Sequence, residues 1–341
     1  MRERAALVLA DTVGAMRAGA AHPDYVRVER SLAAGHAAMG ARSARVLSGD
    51  GRVDADTAAF LYGIAGTWLE LDEAAAAGVH AAIHVAAAVL AVGQVERLPG
   101  SDVLDGFLAG YEAASALAEQ LPVAFPVHPH AGLAGVGAAL GAAVATRRDP
   151  LAAARIAATL PIVATWDACF EGATARHGFA GASAAMAVRA VALAVGGMSG
   201  AGGAATTLFG DILGHPGHAP GAPSLEHAAV LRSTIKHHAA CLTCHTAIEA
   251  ALTLGPVAPG LIDRVEIQTV AEVADKVTRQ PVANELSTKF SLPYAVAAAL
   301  VLGRSDPAAF AYDASVADVA RRVRVSIDPD LPTSDHAMPA R

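Results

Sequence analysis

The chain is poor in aromatic residues, which make up 4% of its 341 residues, although hydrophobic residues make up 54%. Alanine supplies most of the difference, and it is both the best helix former and the smallest apolar side chain. Sheet proteins instead favour valine, isoleucine, threonine and aromatic residues. The composition therefore argues against a sheet protein and predicts closely packed helices.

Cysteine and positive charge are also scarce. Three cysteines are too few for a disulfide framework, which fits a reducing compartment. A formal net charge of −7 gives no basic surface that could neutralise phosphates, so we expect no nucleic-acid partner. The first apolar run stops at Asp11, which is too early for a secretory signal. The expected location is the cytoplasm.

Long charge-free apolar runs are missing as well. A bilayer requires about 20 consecutive apolar residues, and two stretches come close, Val79–Val95 and Gly178–Thr206. The first contains His80 and His84, and the second is interrupted by Arg189 and a glycine-rich tail. We interpret both as core helices and expect no membrane association.

Helical periodicity dominates the first two thirds of the chain and includes a long predicted helix over Thr57–Ala77. The segment His215–Ser224 holds three prolines and marks a domain boundary. Beyond it, Arg264–Val270 and Arg321–Ile327 alternate apolar and polar residues as strands do. The predicted fold is mainly α, with an all-helical domain over 1–220 and a smaller α+β domain over 221–341.

Two segments combine histidine with groups that suit proton transfer. In the first, an acidic run with Glu70 and Asp72 precedes His80, so that a carboxylate can orient an imidazole. In the second, His128 and His130 precede a glycine-rich helix start. The alternatives are a solvated helix end with a core histidine and a polar surface loop.

Two later segments could bind or position a substrate. Arg176, which lies in the sequence between the histidines and these segments, is a further candidate. Lys236 precedes Cys241 and His245, and a lysine there suits carboxylate binding. Lys289 precedes Tyr294 at a helix start, where a tyrosine hydroxyl can act as donor or acid. For Tyr294 and Arg176, a purely structural role is the alternative.

Taken in order, these segments resemble the MmgE/PrpD family, from about Arg4 to Asp330. The spacing of Glu70 and His80 resembles its first motif, and His128-Pro129 before a glycine-rich helix resembles its second. Three further segments carry the likeness: Glu171–Thr174 with Arg176, then Lys236 with Cys241 and His245, and Lys289–Tyr294. The family includes 2-methylcitrate dehydratases, cis-aconitate decarboxylases and an iminodisuccinate epimerase.

The resemblance implies a helical domain with an α+β lid, a homodimer, and no metal or organic cofactor. This chain also departs from the family: Glu73-Ala74-Ala75 stands in place of a second acid pair and a threonine or histidine, Ala81 replaces a proline, and Cys241 replaces the histidine of the decarboxylases. Family members continue with more lid strands after the equivalent of Ile327, so we expect a shortened lid.

These observations and the resemblance predict a cofactor-independent lyase or isomerase that moves a proton beside a carboxylate of a small polycarboxylic acid, in a dehydration, decarboxylation or epimerisation. The expected catalytic residues are His80, His128 or His130, Lys236 and Tyr294, with Glu70 orienting His80. The expected substrate-binding residues are Glu70, Asp72, Arg176, Cys241, His245 and Lys289. Two alternatives stay open: a repurposed enzyme that isomerises or cyclises a specialised metabolite, and a non-catalytic binding protein that retains the fold.

Overall fold

A computed structural model describes residues 1–36, 42–75, 78–130, 132–215, 228–278 and 282–331. Helices α1–α7 span Arg2–Ala20, Pro23–Gly35, Ala55–Thr67, Ala81–Glu96, Gly100–Gln120, Leu133–Ala145 and Pro150–Thr159. Helices α8–α14 span Asp167–Glu171, Gly178–Val195, His245–Leu252, Ala271–Val277, Glu285–Lys289, Leu292–Leu302 and Ala314–Ala320. Strands β1–β4 are Ala44–Arg45, Arg52–Val53, Val265–Thr269 and Val323–Ile327. The prediction of a mainly α protein is confirmed.

The chain divides into two compact units, which we call unit 1 and unit 2. Unit 1 comprises Met1–Trp68, Asp72–Thr165 and His177–Ile235. Unit 2 comprises Leu69–Leu71, Trp166–Arg176 and Lys236–Arg341. The predicted boundary at 220/221 lies outside the described residues. Two short segments from the N-terminal half thus join the C-terminal part, which no composition shift indicated.

Unit 1 is a bundle of helices held together by small residues. A Cβ atom added to Gly137 on α6 would lie 2.5 Å from the Gly110 carbonyl oxygen on α5. Likewise, a Cβ on Gly63 of α3 would lie 2.5 Å from the backbone nitrogen of Gly181 on α9. Such contacts are possible only between helices whose backbones approach closely, which is why alanine and glycine dominate the composition.

The predicted helix Thr57–Ala77 is wrong in its second half. Helix α3 begins after Asp54, whose side chain accepts from the Thr57 backbone N–H at 2.8 Å, and it ends at Thr67. Glu70 then adopts φ +55°, a left-handed conformation that cannot continue the helix. The acidic run therefore lies in an irregular segment that leads to α4, and its side chains are not constrained to helical spacing.

Unit 2 contains the predicted strands. β3 and β4 pair in parallel, with Val265 opposite Val323 and Thr269 opposite Ile327. Helix α13 is buried over most of its length and forms the centre of this core, beside α10 and α14. Both strand predictions are thereby confirmed.

By length and composition alone, one helix in the described ranges, Thr174–Val195, could cross a membrane. The same test is passed by core helices of soluble proteins, and 44% of the apolar window of this helix is buried in the protein. The absence of membrane association stays a prediction.

Candidate active site

His80 lies at the N-cap of α4 in unit 1, where the irregular acidic segment meets the helix. Its Nδ1 lies 2.8 Å from the backbone carbonyl oxygen of Glu73, which can only accept a hydrogen bond. The proton of the neutral ring must therefore be on Nδ1, and Nε2 carries the lone pair. Among the described residues Nε2 has no hydrogen-bond partner, and the side chain keeps 12% of its surface exposed.

Asp72 is the carboxylate beside this ring. Its Oδ2 lies 2.9 Å from His80 Nδ1, and the Asp72 side chain is completely buried. A proton gained at Nε2 would turn the ring into an imidazolium next to this negative charge, which stabilises the charged form. The geometry is that of a histidine base with an adjacent counter-ion.

Glu70 does not take the place that the sequence predicted for it. We expected Glu70 to orient His80, whereas the structure places Asp72 at that position and Glu70 in unit 2. The error follows from the misjudged helix end, because the left-handed turn at Glu70 changes which acids point in the same direction. Asp72 was predicted only as a substrate-binding residue.

His130 is a further member of this cluster and contacts Asp72. Its Nε2 lies 3.2 Å from Asp72 Oδ2, and its Nδ1 lies 3.1 Å from His84 Nε2. Both histidines are fully buried. With Asp72 ionised and accepting from His130 Nε2, His130 Nδ1 is an acceptor and His84 Nε2 is the donor. His130 is among the predicted site residues, whereas His84, one helical turn after His80, is not.

His128 has the opposite tautomer from His80. Its Nδ1 accepts the backbone N–H of His130 at 3.1 Å, so the neutral ring carries its proton on Nε2. The ring stacks on His130 with centroids 5.1 Å apart and meets Phe179 edge-on. His80 and His128 therefore present different groups, a lone pair on the first and an N–H donor on the second.

Asp72, His80 and His130 also form a set of possible metal ligands, with donor atoms within 4.8 Å of one another. The rings of His80 and His130, however, are stacked at 4.0 Å with an interplanar angle of 13°. A ring nitrogen donates its lone pair in the ring plane, and two parallel planes this far apart cannot both contain one ion. These rings would have to rotate before they could share a metal, so the arrangement fits proton transfer better.

A second polar cluster lies in unit 2 around Glu70. Arg176 contacts it through Nη1, 2.6 Å from Glu70 Oε1, and through Nη2, 3.0 Å from Oε2. Lys236 Nζ donates to the Glu70 carbonyl oxygen at 3.1 Å and lies 3.8 Å from Oε2. The Arg176 guanidinium also lies 5.2 Å from the centroid of the Phe290 ring. All three charged side chains are buried, and Glu70 thus contacts Arg176, which we predicted to bind substrate, and Lys236, which we predicted to be catalytic.

Cys241 and His245 belong to unit 2. Burial and the nearby Lys236 charge lower the pKa of His245 to about 3, and its Nε2 lies 3.2 Å from the Ala240 carbonyl oxygen. Cys241 contributes its sulfur to a 3.2 Å contact with the Thr243 hydroxyl. At neutral pH His245 is therefore a hydrogen-bonding residue and not a cation.

Tyr294 and Lys289 are occupied by structural contacts in unit 2. The Tyr294 hydroxyl donates to the Ala311 carbonyl oxygen and accepts from the Asp313 N–H, both at 2.9 Å, and burial raises its pKa to about 12. Lys289 Nζ donates to Glu285 Oε1 at 2.8 Å within α12. The predicted role of Tyr294 as proton donor does not fit this geometry, because its hydroxyl already fixes the loop before α14.

Two residues that support the position of His80, Glu73 and Tyr111, were not among the predicted site residues. The Glu73 carboxylate accepts from the Ala82 N–H at 3.0 Å and from the Tyr111 hydroxyl. Nothing in the spacing of Glu73 and Tyr111, 38 positions apart, indicates this contact.

Most of the predicted site residues separate into two groups. Asp72, His80, His128 and His130 meet in unit 1, and Glu70, Arg176 and Lys236 meet in unit 2.

Comparison with protein families matches the MmgE/PrpD N-terminal domain to residues 1–210 and the MmgE/PrpD C-terminal domain to residues 238–341. Together these matches cover most of the chain. No curated protein matches it significantly.

Proposed function

Because the chain belongs to the MmgE/PrpD family, whose members are generally enzymes such as dehydratases, we propose that it is a lyase or isomerase acting on a small polycarboxylic acid. We propose further that it works by proton transfer beside a carboxylate, without a cofactor. One observation carries the proposal: His80 has its Nδ1 held by the Glu73 carbonyl and Asp72, which leaves Nε2 as a base.

In the proposed reaction, His80 Nε2 removes a proton from the carbon next to a substrate carboxylate. The electron pair of the broken C–H bond enters a new C=C bond or an enolate, and the imidazolium is stabilised by Asp72. In a dehydration, hydroxide leaves from the neighbouring carbon and takes a proton to become water. In an epimerisation, a proton returns to the opposite face of the carbon. His128, with its proton on Nε2, is our candidate donor in both cases.

The remaining predicted properties complete the proposal. Lys236 is the candidate ligand for a substrate carboxylate, because a buried ammonium group binds anions strongly. A homodimer is expected from the family resemblance, and a cytoplasmic location from the few cysteines and the short first apolar run. Light scattering after size-exclusion chromatography tests the dimer, and a mass of one chain would contradict it.

A second function is favoured by the cluster around Glu70. Arg176 and Lys236 both contact this acid, so the cations that should attract substrate carboxylates already have an anionic neighbour. A repurposed member that isomerises or cyclises a less acidic specialised metabolite would need less of their charge. Such an enzyme would still use His80 as base.

The test is a proton NMR assay of the purified protein in D2O with a panel of acids. The panel contains cis-aconitate, 2-methylcitrate, citrate, iminodisuccinate and simple 2-substituted succinates, assayed with and without EDTA. Turnover that survives EDTA and disappears in His80→Gln is the expected result. Folded protein that leaves every acid unchanged would contradict the polycarboxylate proposal, and the panel would then be extended to neutral and monocarboxylic metabolites. Inactivity there as well would favour a binding protein.

A further inference from the structure

Glu73 is a buried acid whose carboxylate is held on both oxygens. Oε2 accepts from the backbone N–H of Ala82 at 3.0 Å, and Oε1 accepts from the hydroxyl of Tyr111, a fully buried residue of α5. Ala82 belongs to the first turn of α4, where the N-cap residue His80 provides no side-chain cap. Glu73 therefore satisfies a free N–H group at the helix start that His80 leaves unsatisfied.

The same residue also fixes the imidazole of His80. The backbone carbonyl of Glu73 accepts from His80 Nδ1 at 2.8 Å, and Asp72 Oδ2 lies 2.9 Å from the same nitrogen, so both acceptors favour the proton on Nδ1. On the other side of this peptide, Ala74 and Thr234 exchange two backbone hydrogen bonds of 3.1 and 2.8 Å. The direction of the Glu73 carbonyl is thus fixed by the anchored Glu73 side chain and by the backbone hydrogen bonds of the next residue, Ala74.

Tyr111 is suited to anchor this arrangement. Burial and the nearby Glu73 charge raise the pKa of Tyr111, so its hydroxyl keeps its proton and remains a donor at neutral pH. The hydroxyl also interacts with the Ser233 side chain, which itself donates to the Val230 carbonyl oxygen at 2.8 Å. Each partner in this sequence of contacts lies in unit 1.

We propose that Tyr111 and Glu73 are positioning residues that hold His80 in the Nδ1–H tautomer and orient its Nε2 as a base. The importance of this for catalysis rests on the proposed function, in which His80 removes the substrate proton. Without the Tyr111 contact, the Glu73 side chain loses an anchor. Its carbonyl then turns away from Nδ1 in part of the molecules, the Nδ1 proton depends on Asp72, and the other tautomer becomes populated.

The test compares two buried tyrosines of unit 1. Tyr111→Phe removes the contact to Glu73, and Tyr62→Phe is the matched control. The Tyr62 hydroxyl donates to the Arg45 carbonyl oxygen and accepts from Gln94 at 2.7 Å, and neither partner is one of the residues that hold His80. Both variants lose a buried hydrogen bond, so a loss of stability alone affects them alike.

The first readout is the His80 tautomer, measured by long-range 1H–15N NMR on protein labelled in histidine and assigned with His80→Gln. We expect the Nδ1–H form in the wild type and in Tyr62→Phe, and a mixture of both tautomers in Tyr111→Phe. The second readout is kinetic. Misplacing a catalytic group by about 1 Å costs on the order of 100-fold, so kcat should fall ~10- to 100-fold in Tyr111→Phe with KM within about threefold.

Two substitutions of Glu73 extend the test, one that should preserve the His80 tautomer and one that should change it. Glu73→Gln keeps an oxygen for Ala82 and an amide group for Tyr111, and it should retain the Nδ1–H tautomer. Glu73→Ala should behave like Tyr111→Phe and replaces it if that variant does not fold. An unchanged tautomer in folded Tyr111→Phe and Glu73→Ala overturns the proposal, whether or not any acid of the panel is turned over. A changed tautomer in a protein that turns over no substrate supports the positioning and contradicts only the proposed function.

Discussion

Replacing Asp72 by asparagine removes the charge beside His80 and keeps the size of the side chain. At 2.9 Å from His80 Nδ1, the carboxylate attracts an imidazolium by about 6 kcal/mol at an effective dielectric constant of about 20. Part of this attraction is lost to desolvation and to His130, which lies 3.2 Å from the same oxygen. A transition state with a partly formed imidazolium should therefore lose roughly 3–4 kcal/mol, and kcat should fall by about 10²- to 10³-fold.

The assay is kcat measured by NMR on the acid of the panel that is turned over. Glu29→Gln is the matched control, because Glu29 is also buried in unit 1 and holds Tyr25 and the backbone of Leu47. Its loss should lower stability and leave kcat within about threefold of the wild type.

A double variant separates catalysis from general damage. If Asp72 acts through His80, Asp72→Asn should reduce kcat no further once His80→Gln is present, since the imidazolium is gone. A folded Asp72→Asn protein with kcat within threefold of the wild type would refute the counter-ion role. Additive losses in the double variant would refute action through His80.

Three further predictions concern unit 2. Burial and the nearby Lys236 charge hold the pKa of His245 at about 3, below its usual value of 6.5, so between these pH values the unfolded chain binds a proton that the folded chain does not. The stabilising effect of His245 is complete above pH 6.5 and falls as the pH is lowered. Urea unfolding should therefore lose about 2 kcal/mol from pH 6.5 to 5 in the wild type and not in His245→Gln. Glu70→Gln breaks the buried pair with Arg176 and should cost about 3–5 kcal/mol of unfolding free energy, which chemical denaturation would show; no measurable cost would contradict the pairing. Tyr294→Phe should cost about 1–3 kcal/mol in the same measurement, through the bond to Ala311, and leave kcat within about threefold. A large fall in its kcat would restore Tyr294 as a catalytic residue.

The sequence was sufficient to predict the fold class, because composition and periodicity act over short distances. Alanine and glycine predicted close helix packing, and the alternating residues of β3 and β4 predicted strands. The helix end at Thr67 was not predictable, since the run up to Ala77 continues to favour helix by propensity. A left-handed turn at Glu70 overrides that propensity, in a segment that also supplies the buried pair with Arg176.

For the site, the sequence indicated the types of residue present better than the hydrogen-bond contacts that these residues make. His80, His128 and His130 were each named as candidates, and the structure brings them together. Their tautomers depend on backbone atoms, the Glu73 carbonyl and the His130 N–H, which no side-chain pattern reveals. The contact of Tyr111 with Glu73 likewise depends on how α5 packs in unit 1.

The central claim is that His80 Nε2 is the base that removes a proton beside a substrate carboxylate. Deuterium incorporation from D2O into recovered substrate measures this step even where the overall turnover is slow. If His80 is this base, we expect the wild type to incorporate deuterium at that one carbon. Glu29→Gln should do so at an unchanged rate, and His80→Gln should not incorporate deuterium there. Incorporation that persists in folded His80→Gln at the wild-type rate would contradict it.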